Sequence, residues 1–136
     1  MVCIYCGSLT SVVNSRPQVR NNQVWRRRKC SSCLAVFSTI EKAQLETNWL
    51  VMNKKGVSTP FSSDKLMLSI FDSCSHRENS ISDARSISDT VIHKLQTKYK
   101  SGHIKAQTIA QYTIVALNRF DKAASTYYSV RHPVNN

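Results

Sequence analysis

The chain has 136 residues, 41% of them apolar, three glycines and three prolines, and a formal charge of +11 from 19 Lys and Arg against eight Asp and Glu. That composition excludes a disordered chain, and its apolar runs, such as Trp49-Leu50-Val51-Met52, fall far short of the roughly 20 residues that cross a bilayer as a helix. The charge favours polyanionic partners such as nucleic acid, phosphate-rich ligands or an anionic surface, with solubility as the plain alternative.

Met1 to Cys6 lacks the basic start, apolar stretch and cleavage site of a secretory signal, so a reducing cytoplasm is expected. Four of the five cysteines form two Cys-x-x-Cys pairs, Cys3 with Cys6 and Cys30 with Cys33, separated by the 23 residues from Gly7 to Lys29. Zn²⁺ takes four soft ligands in a tetrahedron, and each pair can deliver two thiolates from one tight turn. Gly7 supplies the positive φ that such a turn often needs. One structural zinc ion is the expectation, with a redox pair as the lesser reading.

Between the pairs, Ser11–Arg16 and Val24–Arg28 read as strands around a turn containing Pro17 and Asn21-Asn22-Gln23. Val36–Ile40 reads as a third strand. Fewer than fifty residues bury little apolar surface, so the metal stands in for a core. The cation run Arg26-Arg27-Arg28-Lys29, with Arg16 on or near the facing strand, suits phosphate contacts and bidentate pairing to base edges. Trp25 offers a face for a base or for core packing.

Glu41–Thr47 is polar enough for a linker or short helix, which sets a boundary near residue 47. Trp49–Asn53 and Val57–Phe61 then form a hairpin around Lys54-Lys55-Gly56. Ser62 or Ser63 caps a first helix, with Leu66, Ile70, Phe71 and Cys74 inward; Cys74 is thus a buried small residue and not a ligand. A second helix runs from Ser80 to about Lys100 with Ile81, Ala84, Ile87, Val91, Leu95 and Tyr99 on one stripe, ended by Ser101-Gly102. A third covers Lys105–Phe120, with Ile109, Thr113, Leu117 and Phe120 inward, and a fourth Lys122–Val130. His76, His93, His103 and His132 are scattered and read as surface or cap residues. No catalytic constellation stands out, so an enzyme is not expected.

The order Cys3-x-x-Cys6-Gly7, Asn14-Ser15-Arg16, Val24-Trp25-Arg26-Arg27-Arg28-Lys29-Cys30-x-x-Cys33 and Phe37-Ser38-Thr39-Ile40-Glu41 resembles the bacterial transcriptional repressor family NrdR. In that family an N-terminal zinc ribbon precedes a nucleotide-binding ATP-cone. Pro60-Phe61 followed by Asp64-Lys65-Leu66 is similar to the start of such a cone, and Leu117–Asp121 to its late helix. The resemblance runs to about residue 131.

It implies an α+β chain: a DNA-binding zinc ribbon of antiparallel strands over residues 1–46, and over 47–136 an ATP-cone, a β-hairpin with a four-helix bundle. Cys3, Cys6, Cys30 and Cys33 would hold one zinc. Arg16, Trp25, Arg26, Arg27, Arg28 and Lys29 would meet double-stranded promoter DNA. Val51, Lys54, Lys55, Thr59, Ser62 and Lys65 would line ATP or dATP, allosteric ligands that set a homo-oligomer formed through the cones. The expected role is a nucleotide-responsive repressor of ribonucleotide reductase genes in the bacterial cytoplasm, associated with the nucleoid. The alternative is a nucleotide-blind zinc-ribbon module, binding nucleic acid or protein, with a degenerate cone. Against the family pattern, Asn14 stands for Asp, Trp25 for Arg, Asn53 for Lys and Thr59 for Glu.

Overall fold

Three antiparallel strands follow the first cysteine pair: β1 (Thr10–Gln18), β2 (Gln23–Cys30) and β3 (Val36–Lys42), with β2 central. The computed structural model describes residues 1–100 and 102–134; the helix stop read at Ser101 and the polar tail at Asn135 and Asn136 lie outside them. The chain divides into two units, Met1–Ala43 and Gln44–Asn136.

In the first unit, β1 continues through Pro17, which faces Val24, so Pro17 is a strand residue and not part of the turn. The reason is its place on an edge strand, where a missing N–H removes no ladder bond on the solvent side. The turn is the short 3₁₀ segment Val19–Asn21, closed by Asn22 at φ +48°. A bulge lies between Val12 and Asn14. Only Cys3, Cys30 and Phe37 form a buried apolar cluster, with Ala35 packed against it and the Tyr5 ring edge-on to Phe37 at 6.5 Å. That is too little apolar burial to hold nine- and eight-residue strands unaided.

The second unit opens with β4 (Trp49–Met52) and β5 (Ser58–Pro60), an antiparallel hairpin. Its turn is built by Asn53, whose Oδ1 accepts the N–H groups of Lys55 (2.9 Å) and Val57 (3.0 Å), and by Gly56 at φ +78°. Four helices follow: α1 (Ser63–Ser73), α2 (Ser80–Lys98), α3 (Ala106–Phe120) and α4 (Lys122–Arg131). Between α2 and α3 a strand absent from the sequence reading, β6 (Gly102–Lys105), pairs parallel to β4 and gives the order β5-β4-β6. Its one buried side chain, Ile104, carries too little pattern to register as a strand.

Each helix buries the stripe its periodicity dictates: Leu66 and Ile70 of α1, Ala84, Ile87, Val91 and Leu95 of α2, Ile109, Thr113 and Leu117 of α3, Ala124 and Tyr128 of α4. Trp49 and Phe61 bring the hairpin into the same core, rings edge-on at 5.3 Å. Truncating Ile70, Leu95 or Leu117 to alanine should cost about 2–5 kcal/mol. Cys74 is fully buried. Of the residues expected inward, Phe71 and Tyr99 are partly buried against this core and two others are exposed. Ile81, in the first turn of α2, is exposed, and Phe120 is half-exposed at the end of α3, where the Arg77 guanidinium lies 4.5 Å above its ring. Capping matches the side-chain chemistry, since Ser62 Oγ accepts from the Lys65 N–H (3.2 Å) and an Asp121 carboxylate oxygen from the Ala124 N–H (3.0 Å).

Candidate metal centre, basic face and ligand cavities

The ends of the ribbon strands bring all four cysteine sulfurs of the two pairs within 4.8 Å of one another. Cys3 Sγ lies 3.7 Å from Cys33 Sγ, and Cys6 Sγ 3.5 Å from Cys30 Sγ. A tetrahedral zinc–thiolate centre with bonds of about 2.3 Å has sulfur–sulfur edges of about 3.8 Å, so the donors and their spacing fit one zinc ion. The two turns repeat each other. Cys3 N–H donates to Ser8 O (2.8 Å) and Cys30 N–H to Ala35 O (2.9 Å). Sulfur acceptors are also matched: Tyr5 N–H points to Cys3 Sγ, and the Ser32 and Cys33 N–H groups to Cys30 Sγ, all at 3.4 Å. Gly7 at φ +75° and Leu34 at φ +61° close the turns.

Without a cation Cys6, Cys30 and Cys33 hold their protons unequally. The Ser8 hydroxyl and backbone N–H, with the neighbouring sulfurs, bring Cys6 down to about 6. Hydrogen bonding from the Cys33 N–H lowers Cys30. Although the Ala35 N–H favours the Cys33 thiolate, the Cys6 and Cys30 sulfurs and burial push that thiol up to about 12. A divalent cation removes the repulsion that keeps the last proton in place.

Strand register divides the basic run between the two faces of the sheet. Arg16 faces Trp25, which faces Ile40; Arg27 lies between Asn14 and Ser38, and Lys29 between Ser11 and Val36. One face therefore carries Arg16, Trp25, Arg27 and Lys29. The three cations there are exposed and Trp25 is half-buried. Arg26 and Arg28 lie on the opposite face, which also holds Cys30 and Phe37. There the Arg26 guanidinium pairs with the Glu41 carboxylate, and Arg28 Nε donates to Thr39 Oγ1 at 3.3 Å. These two partners, Glu41 and Thr39, carry no signal in the sequence beyond strand alternation.

In the second unit, Val51, Thr59, Ser62 and Lys65 come together around a cavity of about 230 Å³. Phe61, Leu66, Ile109 and Ala110 make most of its wall apolar, and Tyr128 and His132 close it. The His132 ring stacks on Tyr128 at 4.3 Å, so this histidine is a cavity residue and not only a surface or cap residue. Lys54 borders a different cleft, of about 340 Å³, with Asn53, Gly56 and Lys105. Lys55 lines neither. Sequence reasoning missed His132, Tyr128 and Lys105, because only the packing of α3 and α4 and the pairing of β6 bring them beside the hairpin.

Residues 1–41 match the family model described as "Transcriptional repressor NrdR-like, N-terminal domain". Over most of its length the chain is similar to curated proteins named "Transcriptional repressor NrdR". It is 31% identical over 125 residues to that of Pelotomaculum thermopropionicum, covering 91% of this chain and 74% of the relative. With the protein of Streptococcus equi subsp. zooepidemicus it shares 30% over 139 residues, covering 96% and 82%. A shorter match, 41% over 78 residues, covers 57% of this chain and half of the Thermus thermophilus protein.

Proposed function

This chain belongs to the NrdR family of transcriptional repressors, and from that premise we propose that it is a zinc-dependent DNA-binding repressor whose assembly responds to ATP and dATP. The observation that carries the reading is the exposed face of Arg16, Trp25, Arg27 and Lys29 on a sheet anchored at one end by the cysteine cluster. Cations held on a rigid strand can meet successive phosphates, and an aromatic face among them can stack or wedge against bases. Zinc, held by Cys3, Cys6, Cys30 and Cys33, supplies the cross-link that keeps this face rigid. Arg26 and Arg28 contribute to the field more than to contacts, because each already has a partner on the other face.

The second unit is the nucleotide-binding and oligomerising part in this reading. Val51, Thr59, Ser62 and Lys65 around one mostly apolar cavity support a nucleoside there, and Lys65 is the cation closest in kind to a phosphate ligand. A single ribbon binds weakly, so paired ribbons held together through the second units supply usable affinity for double-stranded promoter DNA. The regulated genes are those of ribonucleotide reductase, whose products set the dATP level being sensed, and the site of action is the bacterial cytoplasm at the nucleoid. The protein acts as a regulator, not an enzyme.

The test is binding of zinc-loaded protein to a labelled promoter fragment of a ribonucleotide reductase gene with no nucleotide, with ATP and with dATP. Affinity should differ more than a few-fold between the nucleotide states. Equal binding in all three would sink the switching part, and no binding in any would sink the repressor reading.

A further inference from the structure

The bulge in β1 decides which side chains stand beside Arg27. Ser11 faces Lys29, and unbroken pairing from there would set Val13 opposite Arg27, Asn14 opposite Arg26 and Arg16 opposite Val24. The extra residue between Val12 and Asn14 moves the rest of the strand on by one, so Asn14 faces Arg27 and Arg16 faces Trp25. A one-residue slip exchanges the two faces of a strand. The bulge thus turns Asn14 and Arg16 together onto the face that carries Trp25, Arg27 and Lys29. No burial accompanies it, since Val12, Val13 and Asn14 are all exposed. Bulges re-aim side chains at working surfaces, and this one adds an amide to a row of cations.

Asn14, Arg27 and Ser38 lie in one row across the sheet, and all three are exposed. Among the described residues none of these side chains has a hydrogen-bond or ion-pair partner. The other two amides of this face differ: Gln18 and Gln23, also opposite each other, hydrogen-bond to one another. A carboxamide presents a donor and an acceptor on one edge, the complement of adenine N6 and N7 in the major groove. Adjacent strands lie about 4.8 Å apart and successive base pairs about 3.4 Å, so neighbouring side chains reach neighbouring pairs. β1 is an edge strand, so the β1–β2 pair can enter a groove about 12 Å wide as a two-stranded ribbon. We propose that Asn14 is a base-reading residue that selects adenine in the major groove beside Arg27. This deepens the DNA-binding reading above and rests on it: the cations of the face supply affinity, and Asn14 supplies sequence preference.

The test is selection from a randomised double-stranded DNA library by the full zinc-loaded chain, with ATP and dATP present, for wild type, Asn14→Ala and Asn14→Asp. The selected site and an unrelated duplex are then titrated over a range of salt. Wild type should enrich adenine at a position where Asn14→Ala loses roughly tenfold in preference, the other positions holding. Asn14→Asp keeps the shape but only accepts, so preference there should pass to cytosine, whose N4 donates. For Asn14→Ala the salt slope and the affinity for the unrelated duplex should match wild type, because no phosphate contact is lost. Its thermal melt and zinc content should also match, since Asn14 is exposed. An unchanged base profile in Asn14→Ala, adenine retained by Asn14→Asp, or wild-type binding without base preference would overturn the inference and leave DNA binding by the ribbon intact. A loss shared equally by all sequences would make Asn14 a backbone contact and overturn it too. Wild type that captures no duplex would end both readings.

Discussion

Gly7 and Leu34 hold the same place in the two metal-binding turns, each directly after the second cysteine of its pair, and both adopt left-handed backbone, at φ +75° and +61°. Only one of them is the residue type that does so freely. A Cβ at Gly7 would meet nothing within 4 Å, so the cost of Gly7→Ala is conformational, about 1–2 kcal/mol. The reverse change, Leu34→Gly, relieves a similar cost and adds about 0.5–1 kcal/mol of unfolded-chain entropy. Leu34 is 63% exposed and forfeits little burial. Chelator-competition titrations should therefore show Gly7→Ala holding zinc more weakly and Leu34→Gly holding it equally or better; the opposite order would contradict the shared geometry of the turns.

Zinc removal should affect the two units differently. The ribbon's buried cluster is three residues, two of them ligands, whereas the second unit has its own core around Trp49, Ile70, Leu95 and Leu117. Chelation should erase near-ultraviolet and amide-exchange signatures of β1–β3 while the helical signal persists. Cys30→Ser should do the same without chelator. Because thiolates are the ligands, zinc affinity should fall as pH falls, protons displacing the metal. A single cooperative loss of both units on chelation would show that the second unit is not independently stable.

The register of β2 separates cations that free side-chain counting treats alike. Arg27→Ala and Lys29→Ala should each reduce the slope of log affinity for DNA against log salt by roughly 1, as should Arg16→Ala. Arg26→Ala should change the slope less and instead lower ribbon stability slightly, since its guanidinium is engaged by Glu41. Equal slope changes for Arg26→Ala and Arg27→Ala would place the contacts on both faces.

The metal ligands and the helical stripes were legible because each rests on local spacing: Cys-x-x-Cys for the first, apolar residues every three to four positions for the second. Pro17 misled because edge or centre is a property of the sheet, not of the residue. β6 was invisible because a four-residue strand with one buried residue, Ile104, acquires its identity only on pairing with β4. The same non-local pairing delivers Lys105 to its cleft. His132 is the C-cap of α4, as expected of a surface or cap residue, but its place on the cavity wall depends on where α4 ends, which no period in the sequence encodes. Ile81 and Phe120 continue their stripes in sequence but lie at helix ends, where the neighbouring element no longer covers the stripe.

His132 gives the second unit a specific acid sensitivity. Burial beside Tyr128 lowers its pKa, the adjacent Arg131 lowers it further, and Asp72 opposes both. The folded chain thus prefers neutral imidazole, while the unfolded chain binds a proton near the ordinary value of about 6.5. Where the unfolded state binds more protons, stability rises with pH. The contribution is complete above the unfolded value and is lost as pH falls below it toward the depressed folded value. Thermal midpoints of the second unit's helical signal, measured from pH 8 to pH 5, should fall more steeply in wild type than in His132→Phe, which keeps a ring on Tyr128 but cannot titrate. The difference should develop below about pH 7, and parallel curves would show that His132 is not held neutral by the fold.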